Sequence, residues 1–143
     1  GDAAGYATQG AGAIAIGVEA DVRDYESQKQ AVQTVLKHFK QLDIVIANAG
    51  LGHFASIEDL TVEQWQETID TNLTGAFYTI KSSVDALKES KGYFITISSL
   101  AGTNFFANGS AYNASKFGVT GFTQAVMLDL RKHDSIVGTI VAN

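Results

Sequence analysis

The chain has 143 residues, of which 45% are hydrophobic and 17% are charged, so one globular domain is expected and wholesale disorder is excluded. A net charge of −5, without any cluster of Lys and Arg, argues against non-specific binding to nucleic acid. Cysteine is absent, which excludes disulfides and thiolate chemistry, and no apolar run reaches the roughly 18 residues of a membrane span. We therefore expect a cytoplasmic protein with no nucleic-acid or membrane partner.

Four short apolar runs, rich in Ile and Val, are predicted to form strands at residues 13–18, 43–47, 93–98 and 135–141. They do not alternate cleanly with polar residues, which is typical of strands buried on both faces. Longer segments with helical periodicity lie between them, at residues 24–39, 61–88 and 110–132. Strands that alternate with helices predict a parallel sheet with helices on both faces. The predicted fold is a single α/β domain over residues 1–143, with a doubly wound sheet in a three-layer α/β/α arrangement.

The predicted helices have recognisable ends. Asp24 stands where an N-cap residue is expected, and Thr61 and Gln64 have the spacing of a capping box. The helix at 110–132 ends with basic residues, which suit a helix C-terminus. The helices at 61–88 and 110–132 carry apolar residues over more than one stripe, so we expect them to form the contact of a homodimer or homotetramer.

The residues that follow each predicted strand are candidate site residues, because ligands of open parallel sheets bind beyond the carboxyl ends of the strands. These positions hold polar or small residues, namely Asp21, Val22, Asn48, Ala49, Gly50, Ser98 and Ser99. The last helix begins shortly after the same edge of the sheet. We therefore expect one site to form where these segments meet.

Tyr112 and Lys116 are four residues apart in a predicted helix, so their side chains share one face. An isolated tyrosine has a pKa near ~10, and a neighbouring ammonium lowers the pKa of a phenol because it stabilises the phenolate. Such a pair is suited to proton transfer, and the small residues around it leave room for a flat ligand. On spacing alone such a pair is usually a surface pair without function, so its interpretation depends on the rest of the edge.

Five motifs occur in one order along the chain: ADV (20–22), ANAG (47–50), TNLTG (71–75), ISSLAG (97–102), and Y-x-x-x-K at Tyr112 and Lys116. In content, order and spacing they resemble the motifs of the short-chain dehydrogenase/reductase family. The resemblance covers roughly residues 13 to 132. It implies a Rossmann-like fold, NAD or NADP as cofactor, and hydride transfer between the nicotinamide and a small-molecule carbonyl or secondary alcohol.

The resemblance implies four catalytic residues. Tyr112 is the general acid or base, Lys116 assists it and binds the nicotinamide ribose, and Asn72 holds a water in a proton relay. Ser99 hydrogen-bonds the reacting oxygen, so Ser99 and Tyr112 are also the substrate contacts. Ser98 competes for the serine role, but Ser99 lies thirteen residues before Tyr112, and that spacing favours it.

The resemblance also implies the cofactor contacts. Asp21 and Val22 are expected at the adenine. Asn48, Ala49 and Gly50 are expected to line the cofactor without bulky side chains, together with Tyr112 and Lys116. The three histidines show no metal-ligand spacing, so no metal site is expected, although His53 is a candidate substrate contact. The pair Phe105-Phe106 is a candidate apolar wall.

The chain departs from the family pattern at both ends. GAGAIA (10–15) fits a dinucleotide-binding pattern, but it runs into a predicted strand rather than opening a helix, so it is not interpreted as the family's glycine-rich loop. The chain also has no proline, whereas the family carries a Pro-Gly pair near the nicotinamide. The N-terminal glycine loop and the C-terminal substrate region are thus missing, and the chain is expected to be part of a longer protein.

Two other functions are open on this fold, because a fold alone does not fix function. One is a non-catalytic nucleotide-binding sensor or scaffold. The other is an isomerase, dehydratase or epimerase that keeps its nicotinamide bound. A panel of ketones and alcohols, followed at the nicotinamide absorbance in the complete protein, separates the oxidoreductase from the other two.

Overall fold

The computed structural model describes residues 12–142. The main elements, in chain order, are α1 (Tyr25–Phe39), β1 (Ile44–Ala47), α2 (Val62–Ile69), α3 (Gly75–Ser90), β2 (Tyr93–Ser99), α4 (Ser110–Leu130) and β3 (Ile136–Ala142). A π-helical turn, Asp70–Thr74, joins α2 to α3. Short 3-10 turns, Leu100–Gly102 and Arg131–His133, follow β2 and α4.

The three strands form one parallel sheet in the order β1-β2-β3. Phe94 lies at its centre and pairs in register with Val45 on one side and Val137 on the other. Each connection between neighbouring strands contains a helix, because parallel strands need a long crossover to return to the same end of the sheet. The predicted parallel sheet and its alternation with helices are therefore confirmed.

Residues 13–18, predicted as the first strand, are not a strand in the structure. The sheet of the described residues consists of β1, β2 and β3, and none of them pairs in a ladder with this segment. A strand requires ladder hydrogen bonds to a neighbour, and apolar composition alone does not supply one. Ile14 is accordingly 82% exposed. The first two residues of the GAGAIA motif lie outside the described residues.

Burial alternates along β2, which shows that one face of the sheet is covered. Phe94, Thr96 and Ser98 are buried, and Phe94 packs in a core with residues of α3, α4 and β3, namely Ile80, Leu87, Leu130 and Val137. The opposite face is not covered by the described residues, and its exposed side chains are Ile44, Ile46, Tyr93, Ile136 and Ile140. The predicted second layer of helices is thus not among the elements between residues 12 and 142.

Both predicted helix starts are confirmed. The Asp24 carboxylate accepts hydrogen bonds from the backbone N–H groups of Glu26 and Ser27, which satisfies donors that the first turn of α1 leaves free. Thr61 and Gln64 form the reciprocal capping box of α2, with both side-chain to backbone distances at 3.1 Å.

Gly92 joins α3 to β2 at a point where the chain has no room for a side chain. A Cβ there would overlap the Asp43 carbonyl oxygen and lie 2.9 Å from Leu87 Cδ2. The same Asp43 oxygen accepts the Tyr93 N–H at 2.7 Å, so it cannot retreat without loss of that hydrogen bond. We expect Gly92→Ala to destabilise the fold by about 1–3 kcal/mol, measured by urea unfolding.

Gly121→Ala is the matched control for that measurement. Gly121 lies inside α4, and a Cβ there meets no described atom within 4 Å. Because Ala is favoured over Gly in a helix by about 0.5–1 kcal/mol, this variant should be unchanged or more stable. Equal stability of the two variants would contradict the role assigned to Gly92.

Candidate active site

The carboxyl ends of β1 and β2 face the first turns of α4 across a cleft of about 380 Å³. Its lining includes the predicted site residues Asn48, Gly50, Ser99, Tyr112 and Lys116. This is the edge of the sheet at which the sequence predicts a site. The segments after β1 and at the end of β2, together with α4, each contribute some of these residues, so the cleft forms only when the chain folds.

Asn72 is positioned by the π-helical turn that precedes α3. The Gly75 N–H bonds to the Asp70 carbonyl five residues back, one more than in an α-helix, so the ladder widens around Asn72. Asn72 is 3% exposed, and its amide oxygen accepts the Leu51 N–H at 2.9 Å. Its amide nitrogen donates to the Leu51 carbonyl at 2.8 Å and to Ser115 Oγ at 3.0 Å. Asn72 therefore joins α3, the segment after β1, and α4.

We expect Asn72→Ala to destabilise the fold by about 2–3 kcal/mol, because it leaves the Leu51 backbone groups without their partners in a half-buried place. Ser115→Ala is the matched control, since it removes one of the three hydrogen bonds of the Asn72 amide and leaves both bonds to Leu51. It should cost about 1 kcal/mol. Urea unfolding compares the two, and a larger loss for Ser115→Ala would contradict this account.

Lys116 is buried, with 6% exposure, although it carries an ammonium group. Its Nζ donates to the Ile97 carbonyl at 3.2 Å and lies 5.8 Å from the centre of the Tyr112 ring. Burial lowers the pKa of Lys116 below its usual value, because the charged form loses hydration. An ammonium has three donors, and the Ile97 carbonyl is the one hydrogen-bond acceptor it finds among residues 12–142. The other donors are available to a ligand.

Lys116 also lines a second, neighbouring cleft of about 220 Å³, together with Val22, Asn48, Ala49 and Asn72. A Cβ at Gly50 would lie 3.4 Å from Asn72 Oδ1 and 3.7 Å from Lys116 Nζ, so both polar groups converge beside this residue. The two clefts are thus adjacent and share the Lys116 side chain as part of their walls.

Ser98 and Ser99 point to opposite faces of β2, as neighbouring strand residues do. Ser98 is 2% exposed, and its Oγ lies 3.5 Å from Thr120 Oγ1 on the face that the helices cover. Ser99 is half-buried at the cleft, and its Oγ accepts the Ala101 N–H at 3.1 Å. Ser98 also lines the cleft but is almost fully buried, whereas the more exposed Ser99 hydroxyl still has its own proton to donate, so the geometry favours Ser99.

Tyr112 is partly exposed, and its hydroxyl forms no hydrogen bond with the described residues. Its ring lies 5.3 Å, centre to centre, from the ring of Phe54, which in turn lies 6.2 Å from the ring of Phe106. Phe105, the other residue of the predicted wall, is 87% exposed and makes no ring contact within the described chain. The wall beside Tyr112 therefore consists of Phe54 and Phe106.

Three sequence candidates do not line the cleft that contains Tyr112. The Asp21 carboxylate is paired with Arg23, whose hydrogen bonds hold the pKa of Asp21 below its usual value, and both side chains are about half exposed. Val22 lines the second cleft, and Gln28 Nε2 binds its carbonyl at 2.9 Å. His53 Nε2 lies 3.0 Å from Glu67 Oε2, so its ring is engaged by α2 rather than free for a substrate.

Sequence reasoning missed two residues that organise the site. Ser115 is fully buried, accepts from Asn72 and donates to the Tyr112 carbonyl at 2.8 Å. Phe54 packs against the Tyr112 ring in a tilted arrangement, from a segment distant in sequence. Ser115 lies three residues after Tyr112 on α4, and this spacing indicates that the two side chains share one face of the helix. No local feature of the sequence indicates that Phe54 contacts Tyr112.

Residues 12–142 contain no group of three or more side chains that could hold a metal ion. None of the helices in this range is both long enough and apolar enough to cross a membrane.

Comparison with known proteins decides the family. A family model described as short chain dehydrogenase matches residues 3–142. The chain belongs to the short-chain dehydrogenase family. The resemblance predicted from the five motifs is thus confirmed, and it extends over almost the whole chain.

Relatives within the short-chain dehydrogenase family are similar along most of this chain. It is 40% identical over 127 residues to trans-4-hydroxycyclohexanecarboxylate dehydrogenase of Sinomonas cyclohexanicum, covering 89% of this chain and 49% of that one. It is 35% identical over 130 residues to 3-oxoacyl-[acyl-carrier-protein] reductase of Synechocystis, covering 90% and 53% respectively. The chain spans about half the length of the curated relatives it matches.

Solved structures of this family share the fold. Carveol dehydrogenase from Mycobacterium avium, in complex with NAD, superposes with a TM-score of 0.91 at 30% identity, over 96% of this chain and 50% of that one. A 3-ketoacyl-ACP reductase from Sinorhizobium meliloti gives a TM-score of 0.90 at 38% identity, over 96% and 55%. These likenesses confirm the predicted Rossmann-like α/β fold, of which this chain is a part.

Proposed function

We propose that the protein containing this chain is an NAD(P)-dependent oxidoreductase that transfers a hydride between nicotinamide and a carbonyl or secondary alcohol. The observation that carries the proposal is the convergence of Ser99, Tyr112 and Lys116 on one cleft, with the Tyr112 hydroxyl unpartnered among the described residues. Relatives named as dehydrogenases and reductases, and solved neighbours bound to NAD or NADP, support it.

The described residues fit a nicotinamide cofactor. Asn48, Ala49 and Gly50 form a wall of small residues along the two clefts, and Lys116 offers buried ammonium donors where the clefts meet. Such donors suit the hydroxyl groups of a ribose, and small residues allow a flat ring to approach. We propose that these residues hold the nicotinamide half. Asp21 and Val22, of which Val22 lines the second cleft, are proposed for the adenine half.

When bound, the nicotinamide supplies or accepts the hydride. The Tyr112 hydroxyl donates a proton to the carbonyl oxygen in reduction and its phenolate accepts one from the alcohol in oxidation. The Ser99 hydroxyl donates a hydrogen bond to the same oxygen, where negative charge develops in the transition state. The Lys116 ammonium lies 5.8 Å from the Tyr112 ring centre and has donors left for the ribose of the cofactor.

Asn72 is proposed as a positioning residue. Its side-chain amide is engaged by Leu51 and Ser115, so it fixes the segment after β1 against α4 and thereby the distance across the cleft. Its role in holding a water of a proton relay stays a prediction from the family resemblance.

The test uses the whole protein that carries this chain, with NADH or NADPH and a panel of ketones, and with the oxidised cofactors and the matching alcohols. A change in nicotinamide absorbance that depends on substrate supports the oxidoreductase. Tight cofactor binding without net oxidation or reduction of any substrate would favour the sensor, or an isomerase, dehydratase or epimerase, and would refute the proposal.

We also propose a cytoplasmic location, on the composition of the chain.

We further propose that the whole protein is a homodimer or homotetramer that assembles through α3 and α4. An apolar groove runs between the two helices and is lined by Phe77, Ile80, Val84, Phe122 and Val126. Phe77 packs edge-on against Phe122 at 6.3 Å and is still 44% exposed. A contiguous exposed apolar surface of this kind marks an interface.

We expect Phe77→Glu to shift the protein toward monomer in light scattering at micromolar concentration, because a carboxylate in an apolar contact loses hydration without a partner. Val62→Glu, on α2, makes a similar change at a position that is 78% exposed and should leave the assembly unchanged. A wild-type protein that is already monomeric would refute this assignment.

A further inference from the structure

Phe54 forms an aromatic corner with Tyr112 at the mouth of the cleft. The two ring planes meet at 60°, with centres 5.3 Å apart, and Phe54 is nevertheless 59% exposed. Both residues line the cleft. A large apolar ring that is more than half exposed beside a reactive hydroxyl leaves a surface that a ligand can cover.

The segment that carries Phe54 is anchored on both sides of it. Leu51 is held by both hydrogen bonds to Asn72, and the Ala55 N–H donates to the Asn108 carbonyl at 3.0 Å. Gly52 allows the ring to fold back over the chain, since a Cβ there would lie 2.7 Å from two Phe54 ring atoms. The exposed ring is thus held in place before any ligand arrives.

The two rings of the corner are inclined at 60° and carry no charged or amide group, although the lining of the cleft also includes Asn48 and Lys116. A rigid ring next to the reacting carbon can lie against both rings at once and loses little conformational freedom when it binds. An open chain with the same number of carbon atoms must order several bonds, at about 0.5–1.5 kcal/mol for each immobilised flexible group. The corner should therefore discriminate between a ring and a chain.

On the basis of the proposed oxidoreductase function, we propose that Phe54 is a specificity-determining residue that favours substrates whose reacting carbon belongs to an apolar ring, that is, cyclic aliphatic ketones and the corresponding secondary alcohols. Phe54 contacts the ring of the substrate, while Ser99 and Tyr112 contact its oxygen.

The experiment compares cyclohexanone with 2-hexanone, which have the same number of carbon atoms, in the whole protein with saturating NADH or NADPH. Phe54→Ala should lower kcat/KM for cyclohexanone by about 10–100-fold and that for 2-hexanone by less than about 3-fold. Phe54→Leu, which keeps an apolar side chain and makes misfolding less of a concern, should lower the cyclohexanone value by an intermediate factor. Phe105→Ala, the same change at a ring that does not line the cleft, should leave both values unchanged.

The ratio of the two kcat/KM values separates specificity from a general loss of structure, because both substrates are measured on one enzyme. An unchanged ratio in Phe54→Ala and Phe54→Leu would overturn the role of Phe54 and leave the oxidoreductase proposal intact. Absence of nicotinamide-linked turnover of every ketone and alcohol by the wild type would instead overturn the proposed function, and this inference with it.

Discussion

Replacement of Tyr112 by phenylalanine is expected to lower kcat by about 10²–10⁴-fold while the fold remains intact, because the change removes the group proposed to transfer the proton. The Tyr112 hydroxyl has no hydrogen bond to lose among the described residues. The ring contact with Phe54, at 5.3 Å between centres, is available to phenylalanine as well. Steady-state kinetics and urea unfolding of the same preparation give the two quantities.

Tyr93→Phe is the matched control, since Tyr93 is a partly exposed tyrosine at the start of β2, whereas the cleft lies at the carboxyl end of that strand. It should retain normal turnover. Near-normal turnover by Tyr112→Phe would remove Tyr112 from the mechanism, whereas equal losses in both variants would point to a structural effect common to the two.

Replacement of Lys116 by methionine is expected to change activity and stability in opposite directions. Loss of the ammonium should lower kcat/KM by about 10²–10³-fold, as removal of one preorganised donor does, and should also weaken cofactor binding. Stability at pH 7 should increase, because burial is the cause of the lowered pKa of Lys116, so the site as a whole disfavours the charge. Methionine keeps most of the apolar stem and brings no charge into the site.

The sign of the pH dependence follows from the direction of that shift. Below the lowered pKa of the folded state, Lys116 is charged whether the chain is folded or not, and the folded protein bears the full cost of the buried ammonium. As the pH rises from that pKa toward 10.5, the usual value, the unfolded chain holds more protons than the folded one, so the cost is relieved. The gain in stability of Lys116→Met should therefore be largest near neutral pH and vanish above 10.5.

Urea unfolding at pH 7 and at alkaline pH measures this difference. Lys132→Met, at an exposed lysine, is the control and should change neither stability nor turnover by much. A Lys116→Met protein that is less stable than the wild type at pH 7 would show that the hydrogen bond to the Ile97 carbonyl outweighs the cost of burial. Unchanged cofactor affinity would contradict the proposed contact with the ribose.

Local signals predicted those parts of the fold that depend on neighbours in sequence. Asp24 and the Thr61–Gln64 pair cap the helices that the sequence places there, since capping requires residues within one turn. The prediction of a strand at residues 13–18 was wrong, because a strand needs a neighbouring strand to pair with and the sequence of the segment does not specify that neighbour. Its apolar residues predicted burial, yet Ile14 is 82% exposed in the described chain.

The candidate site was predictable to the extent that each motif ends an element at one edge of a parallel sheet. Helical spacing brought Tyr112 and Lys116 together, and strand alternation separated Ser98 from Ser99. Phe54 could not be predicted in this way, because its contact with Tyr112 depends on how the long segment after β1 packs against α4. The anchoring of Leu51 by Asn72 likewise spans 21 residues of sequence and appears only in three dimensions.

The π-helical turn at Asp70–Thr74 has a consequence for how this region can vary in length. Each residue of an α-helix advances the chain by about 100°, and the turn holds one residue more than a regular ladder would accommodate. Because the wider turn absorbs that extra residue, deletion of one residue would restore an unbroken helix with α2 and α3 close to their present orientation, and the widening of the ladder around Asn72 would be lost. The amide of Asn72 could then no longer reach Leu51. Substitutions at the surface of this helix are therefore compatible with the site, whereas insertions and deletions between Thr61 and Gly75 are not.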